Sequence, residues 1–244
     1  MVNYKIDQQK KLSDWWQSPL GQEVFSQEHL LLQSLNSYFY GYYQLQLGTK
    51  TSLLPQTSKP KLQLIMASEA DLEGDNENLP FKCHTIDTLL LSHVLEFSDD
   101  PHQILREAER VLIADGTLVL CCFNPWSLWG LRRLFSWQDK PPWYGHFFSQ
   151  TRIKDWLALL NFDIIATEKY LFTLPLKSKQ WLNRLTPLER WGKRLWPLFP
   201  GATILVASKR TIPLTPITQS WRARSFFPAG RLVNKPVSRE KTNE

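Results

Sequence analysis

Cysteine is scarce in this chain, and the three present, Cys83, Cys121 and Cys122, are an odd number. Two of them are adjacent in a stretch that reads as buried strand, so a disulfide framework is not expected and a reducing compartment, the cytoplasm, is. Cys121 and Cys122 read as small buried hydrophobes rather than reactive thiols. No uninterrupted apolar run approaches the ~18 residues of a membrane-spanning helix. The opening MVNYKIDQQKKLSDWW also lacks the basic, apolar and small-residue zones of a secretory signal. Internal repeats are missing, which leaves one α/β domain with extensions as the working expectation, and no metal site is expected.

What is present is enough to fold. With 244 residues, 43% hydrophobic and 21% charged, the chain can bury a core and is too apolar for a disordered one. The net charge of +6 favours solubility and loose association without naming a partner. Tryptophan is concentrated, with eight of the eleven lying between Trp126 and Trp196.

Periodicity gives the order of elements. Val24, Phe25, Leu30, Leu31, Leu32 and Leu35 predict a leading helix over 22–36 with an apolar face. Leu45 to Leu47, closed by Gly48, reads as a first strand, and Leu62 to Met66 as a second. The interval from Gly48 to Leu79 is too short for two complete parallel crossovers, so at least one helix must be missing or reduced. Thr85 to Leu91 reads as a strand covered on both faces. A helix capped by Asp100 follows, with Pro101 in its first turn and Ile104, Leu105, Ala108, Val111 and Leu112 facing a core. Asp115-Gly116 then turns the chain into a strand over 117–123. Asn124-Pro125-Trp126 reads as a rigid strand-to-helix turn with Asn124 as helix cap. Ser149 caps a helix carrying Ile153, Trp156, Leu157 and Leu160. Phe162 to Leu174 and Ala202 to Ser208 read as strands around a Trp-rich helical excursion. The domain expectation is a helical extension over 1–40, an α/β domain over 41–210 and a basic, disordered tail over 211–244.

Glu73 to Phe81, Thr85-Ile86-Asp87, Ser92-His93-Val94-Leu95, Leu105-Arg106-Glu107 and Arg110-Val111-Leu112 with Asp115-Gly116 resemble, in order and spacing, the signatures of class I S-adenosylmethionine-dependent methyltransferases of the type 11 branch. The resemblance covers roughly Leu72 to Phe123. It implies a Rossmann-like, mostly parallel seven-stranded sheet with an antiparallel last strand. It also implies S-adenosylmethionine as cofactor, lying beyond the carboxyl ends of the first strands. By position, Asp75 resembles the carboxylate that accepts from the adenine amino group, with Asn76 beside it, and Ser92 and His93 line the methionine and sugar end. The glycine-rich turn expected after the first strand is reduced here to Gly48, followed by Thr49-Lys50-Thr51. Glu69 is out of register for the acidic residue that binds the ribose. Bland roles compete with two of these residues: Asp75 as a turn cap and His93 as a satisfied buried histidine.

If the acceptor must lose a proton, His93, Tyr144 and His146 are the candidate bases. The expected acceptor is a small, apolar molecule. The segment from Trp126 to Pro200 has twelve Lys or Arg against five Asp or Glu, interleaved with tryptophan, which suits peripheral contact with an anionic membrane. No nucleic acid is expected, since no known binding module is present. The rival reading is a binding or regulatory module that kept the fold and lost turnover.

Overall fold

The computed structural model describes residues 12–56, 62–67, 70–135, 141–172 and 199–211. All of them lie in one compact unit that ends at Thr211. The helical excursion expected within 173–198 and the tail expected over 212–244 lie outside the described residues.

The leading helix, α1 (Pro19–Ser34), starts at Ser18, whose side chain accepts from the Gly21 N–H at 3.1 Å. Its buried stripe is Leu20, Val24, Glu28 and Leu32, a spacing of four that keeps one face inward. Leu30, expected on that face, lies two positions from both Glu28 and Leu32 and is 71% exposed. An acidic residue thus occupies the centre of the apolar stripe.

Six strands follow: β1 (Tyr43–Leu47), β2 (Leu62–Met66), β3 (Ile86–Ser92), β4 (Leu112–Phe123), β5 (Phe162–Tyr170) and β6 (Ala202–Lys209). They form one sheet in the order β2-β1-β3-β4-β6-β5. β1 pairs in parallel with β2 and β3, and β3 with β4, while β6 runs antiparallel to both β4 and β5. Five strands therefore point one way and the last in sequence points the other. The seventh strand that the resemblance implied is not among the described residues. Between β2 and β3 the described backbone makes only isolated bridges, Met66 with Leu72 and Asp75 with Asn78. No helix joins β1 to β2 or β2 to β3 among the described residues, in keeping with the shortage of chain there.

Helices cover both faces. α2 (Pro101–Val111) is capped by Asp100, which accepts from the Gln103 N–H at 3.0 Å, and it buries Ile104, Leu105, Ala108 and Val111. α4 (Gln150–Leu159), capped by Ser149, buries Ile153, Trp156 and Leu157 on the same side. α1 and Trp129 of α3 (Leu128–Phe135) cover the other side. The two-residue period of β4 divides the layers, with Leu118, Leu120 and Cys122 facing α2 and α4 and Val119, Cys121 and Phe123 facing α1.

Two turns differ from expectation in detail. Asp115-Gly116 lies within β4, and the register with β3 shifts between Ile86 and Thr88 to absorb it, with Asp115 at φ 59°. Asn124 does not cap α3. Its Oδ1 accepts from the Trp126 N–H at 3.1 Å, closing an Asx turn, and its Nδ2 donates to the Pro200 carbonyl. Ser127 is the cap, accepting from the Gly130 N–H at 3.1 Å.

Candidate functional site

A cavity of about 1180 Å³ opens at the carboxyl ends of β1, β2 and β3. Open parallel sheets bind ligands in this position, because strand ends and the loops after them leave a crevice. Gly48 to Thr51 line it after β1, Met66 and Ala67 at the end of β2, and His93, Val94 and Glu96 after β3. Trp16 and Phe25 close it from the N-terminal segment, and Tyr144 and His146 from the far side.

The loop after β1 is shaped by two residues. Gly48 has φ +109°, and a Cβ there would lie 2.2 Å from the Ser92 carbonyl oxygen, so glycine is required both for conformation and for close approach to β3. Gln46 is fully buried and ties the loop down. Its Nε2 donates to the carbonyls of Thr49 and Thr51, and its Oε1 accepts from the Leu53 N–H at 2.8 Å. Sequence reading passed over Gln46 because a polar residue in a strand reads as solvent-facing.

Asp75 and Asn76 lie on the acidic rim of the cavity with Glu73 and Glu77. The exposed Asp75 carboxylate accepts from the Glu77 N–H at 3.0 Å and from Asn78 Nδ2 at 2.9 Å, so it caps a turn while lining the cavity. The loop that follows is pinned by α2. Glu107 accepts from the Leu79 N–H, and Arg110 donates to the carbonyls of Leu79 and Phe81. The Glu107 carboxyl is lowered chiefly by its hydrogen bond from Arg110. Glu69 lies outside the described residues.

Ser92 and His93 are not equivalent. Ser92 lies beneath the cavity, not on its lining, and its hydroxyl donates weakly to Glu28 at 3.4 Å. His93 lines the cavity, yet both ring nitrogens are occupied: Nε2 meets Glu28 Oε1 at 2.5 Å and Nδ1 meets Glu96 Oε1 at 3.0 Å. Burial alone would lower its pKa, but the two carboxylates more than reverse this and push it up to about 10. His93 is therefore a held cation and has no free nitrogen with which to act as a base. Tyr170 completes the cluster by donating to Glu28 at 2.6 Å, and its hydroxyl pKa is raised by burial and by Glu28. Glu28, Glu96 and Tyr170 were not singled out from the sequence. The one available signal was Glu28 four residues from Val24 and from Leu32 on the same stripe.

Tyr144 and His146 remain as groups that can reach a ligand. Tyr144 is half-buried with its ring 5.1 Å from that of Phe97, and His146 is exposed, its backbone N–H donating to the Glu96 carbonyl at 2.7 Å. Cys121 and Cys122 are buried, and burial first of all pushes both thiols well up.

Residues 32–120 match the family model described as "Methyltransferase domain", of type 11. The chain is 33% identical over 223 residues to "Uncharacterized protein YafS" of Escherichia coli, covering 84% of this chain and 88% of that one. It is 25% identical over 146 residues to the malonyl-[acyl-carrier protein] O-methyltransferase of Haemophilus ducreyi, covering 56% and 50%. In fold it is similar to a SAM-dependent methyltransferase from Thermotoga maritima, with a TM-score of 0.59, 18% identity and coverage of 81% and 93%. The chain belongs to the class I methyltransferases, type 11 branch.

In this methyltransferase the cavity fits the cofactor that its family uses, S-adenosylmethionine. The chemistry of the lining suits a cationic nucleoside: an acidic rim, apolar walls from Met66, Val94, Phe97 and Ile104, and backbone at the Gly48 turn. No helix of the methyltransferase among the described residues is long and apolar enough to cross a membrane.

Proposed function

We propose that the protein transfers a methyl group from S-adenosylmethionine to a small acceptor with an apolar body, in the cytoplasm. The observation that carries this reading is the open cavity at the carboxyl ends of β1, β2 and β3 with Gly48, Asp75, Asn76 and His93 on its lining. Asp75 and Asn76 would hold the adenine end, and the Gly48 loop and the backbone at His93 the sugar and methionine end, with Ser92 supporting them from beneath. Such placement beyond the strand ends agrees with the rule for open α/β sheets.

When bound, the cofactor supplies a methyl group already activated on a sulfonium sulfur. The chain's own task is alignment, since a near-attack geometry supplies much of the acceleration in such a transfer. The pinned loops serve this, Gln46 holding the turn after β1 and Glu107 with Arg110 holding the segment after Asp75. Where the acceptor must lose a proton, Tyr144 and His146 stand at the cavity with a position to take it.

Calorimetry with S-adenosylmethionine and S-adenosylhomocysteine tests the reading. Micromolar binding that weakens about tenfold in Asp75→Ala, the worth of one or two hydrogen bonds, is the expected result. No binding at millimolar ligand would instead leave a binding or regulatory module on a methyltransferase fold.

The reading includes peripheral contact with an anionic membrane. Trp126, Leu128 and Leu131 are exposed beside Arg132 at the start of α3, an aromatic and apolar cluster flanked by positive charge. Flotation with anionic vesicles at low salt tests it, and protein that stays at the bottom of the gradient removes the contact.

A further inference from the structure

The corner of the cavity under Glu96 holds two unsatisfied polar atoms. Glu96 is 1% exposed, and its Oε1 is fully engaged, accepting from the Phe123 N–H at 2.7 Å and meeting His93 Nδ1 at 3.0 Å. Its Oε2 is buried without a partner among the described residues, as is Trp16 Nε1. Both residues line the cavity, and the Trp16 ring lies 5.6 Å from that of His93. A buried carboxylate oxygen without a donor is costly, and a ligand that supplies the donor removes that cost.

The charge of the corner selects the kind of donor. Two carboxyl groups, Glu28 and Glu96, flank the single imidazole of His93, so acidic groups outnumber basic ones at this corner. These side chains are at most 1% exposed, so their polarity is weakly screened and favours a cation bearing N–H groups. An indole at the same corner offers a face that also attracts cations.

Location separates this corner from the nucleoside end. Glu96 is bonded to Phe123 at the end of β4, whereas the Gly48 turn ends β1 and Met66 ends β2. In the order β2-β1-β3-β4, with neighbours ~4.8 Å apart, the end of β4 is roughly 10 Å across from that of β1. Trp16 also lies before residues 32–120, outside the part of the chain that matches the family model.

We propose that the Glu96 corner is the subsite for the methyl acceptor, and that the acceptor is a small amine whose N–H donates to Glu96 Oε2 beside the Trp16 indole. This rests on the methyltransferase reading of the same cavity and names the acceptor's chemical class.

The experiment has two arms on the full chain. In the first, S-adenosylhomocysteine and 5′-methylthioadenosine are titrated into wild type and Glu96→Gln, a variant that keeps the Oε1 acceptor for the Phe123 N–H. Affinity for both ligands is expected to change less than twofold. Failure of wild type to bind S-adenosylhomocysteine would sink the methyltransferase reading and with it the acceptor role, while the amine preference of the corner is read separately in the second arm.

In the second arm, phenethylamine, tryptamine and hexylamine are each compared with the alcohol of the same skeleton, with and without S-adenosylhomocysteine, by ligand-observed NMR. At least one amine is expected to bind roughly tenfold tighter than its alcohol, the worth of one charge-assisted hydrogen bond. Glu96→Gln is expected to abolish that preference. The proposal is overturned if no amine outbinds its alcohol, or if Glu96→Gln keeps the preference. It is also overturned if Glu96→Gln weakens S-adenosylhomocysteine but spares 5′-methylthioadenosine, because Glu96 would then belong to the amino-acid end of the methyl donor. Should Glu96→Gln not fold, the amine-over-alcohol comparison in wild type decides by itself.

Discussion

Glu28 Oε1 and His93 Nε2 meet at 2.5 Å although 65 positions separate them in the chain, and the contact fastens α1 to the end of β3. Both side chains are essentially inaccessible, so each charge depends on the other for its place in the interior.

Stability should therefore depend on pH through His93. The histidine titrates near 6.5 when unfolded and at about 10 in the fold, so it favours the folded state in its protonated form. Its contribution is complete below pH 6.5, declines as pH rises from there, and is gone above about 10. Urea midpoints measured from pH 6 to 8, below the range where the buried thiols of Cys121 and Cys122 add a fall of their own, should fall for wild type. In His93→Asn the slope should be lost and stability should drop by about 3–5 kcal/mol, the usual cost of breaking a buried pair. A flat wild-type profile would contradict the assignment of His93 as a held cation.

Gln46 provides a separate test of how the cavity loop is held. Gln46→Leu keeps the volume but leaves the carbonyls of Thr49 and Thr51 and the Leu53 N–H without their partner. A loss of about 1–3 kcal/mol is expected from buried groups left unpaired. Amide exchange should speed up at Leu53 while that of β4 stays slow at matched stability. Uniform exchange across the chain would mean that Gln46 has no local role.

Much of this architecture was legible because its elements obey local rules. Asp100 with Pro101 and Ser149 cap helices as their chemistry requires, and the apolar residues of α2 and α4 face the core at helical spacing. The continuous apolar run before Ser92 announced a strand covered on both faces. The interior cluster was not legible. Glu28 and the Oε1 atom of Glu96 find partners brought together only by tertiary packing, and a period-based reading assigns an isolated acid to solvent. The same blindness let Leu30 seem buried. For the site, motif order placed Asp75, Asn76 and His93 at the cavity, but it could not reveal that His93 has both nitrogens engaged, nor that Ser92 lies below the lining.

Thiol labelling should distinguish the cysteines sharply. Cys83 is exposed, whereas Cys121 and Cys122 are buried and their thiols are held protonated by burial. Iodoacetamide at neutral pH should add one label per native chain, at Cys83, and three after unfolding. Rapid labelling of the native chain at the paired positions would mean that β4 is open to solvent.

Gly48→Ala tests the link between backbone shape and ligand binding. The position has φ +109°, and the added Cβ would meet the Ser92 carbonyl at 2.2 Å, with Val94 at 3.0 Å. Both strain and overlap act, so a destabilisation of about 1–3 kcal/mol is expected. Relief requires the loop from Thr49 to Thr51 to move away from β3, and these residues line the cavity. Affinity for S-adenosylhomocysteine should therefore fall by more than the change in folded fraction explains. Calorimetry on the folded variant, at a temperature well below its melting point, separates the two effects. Unchanged affinity in a destabilised variant would show that the turn supports the sheet without shaping the ligand's place.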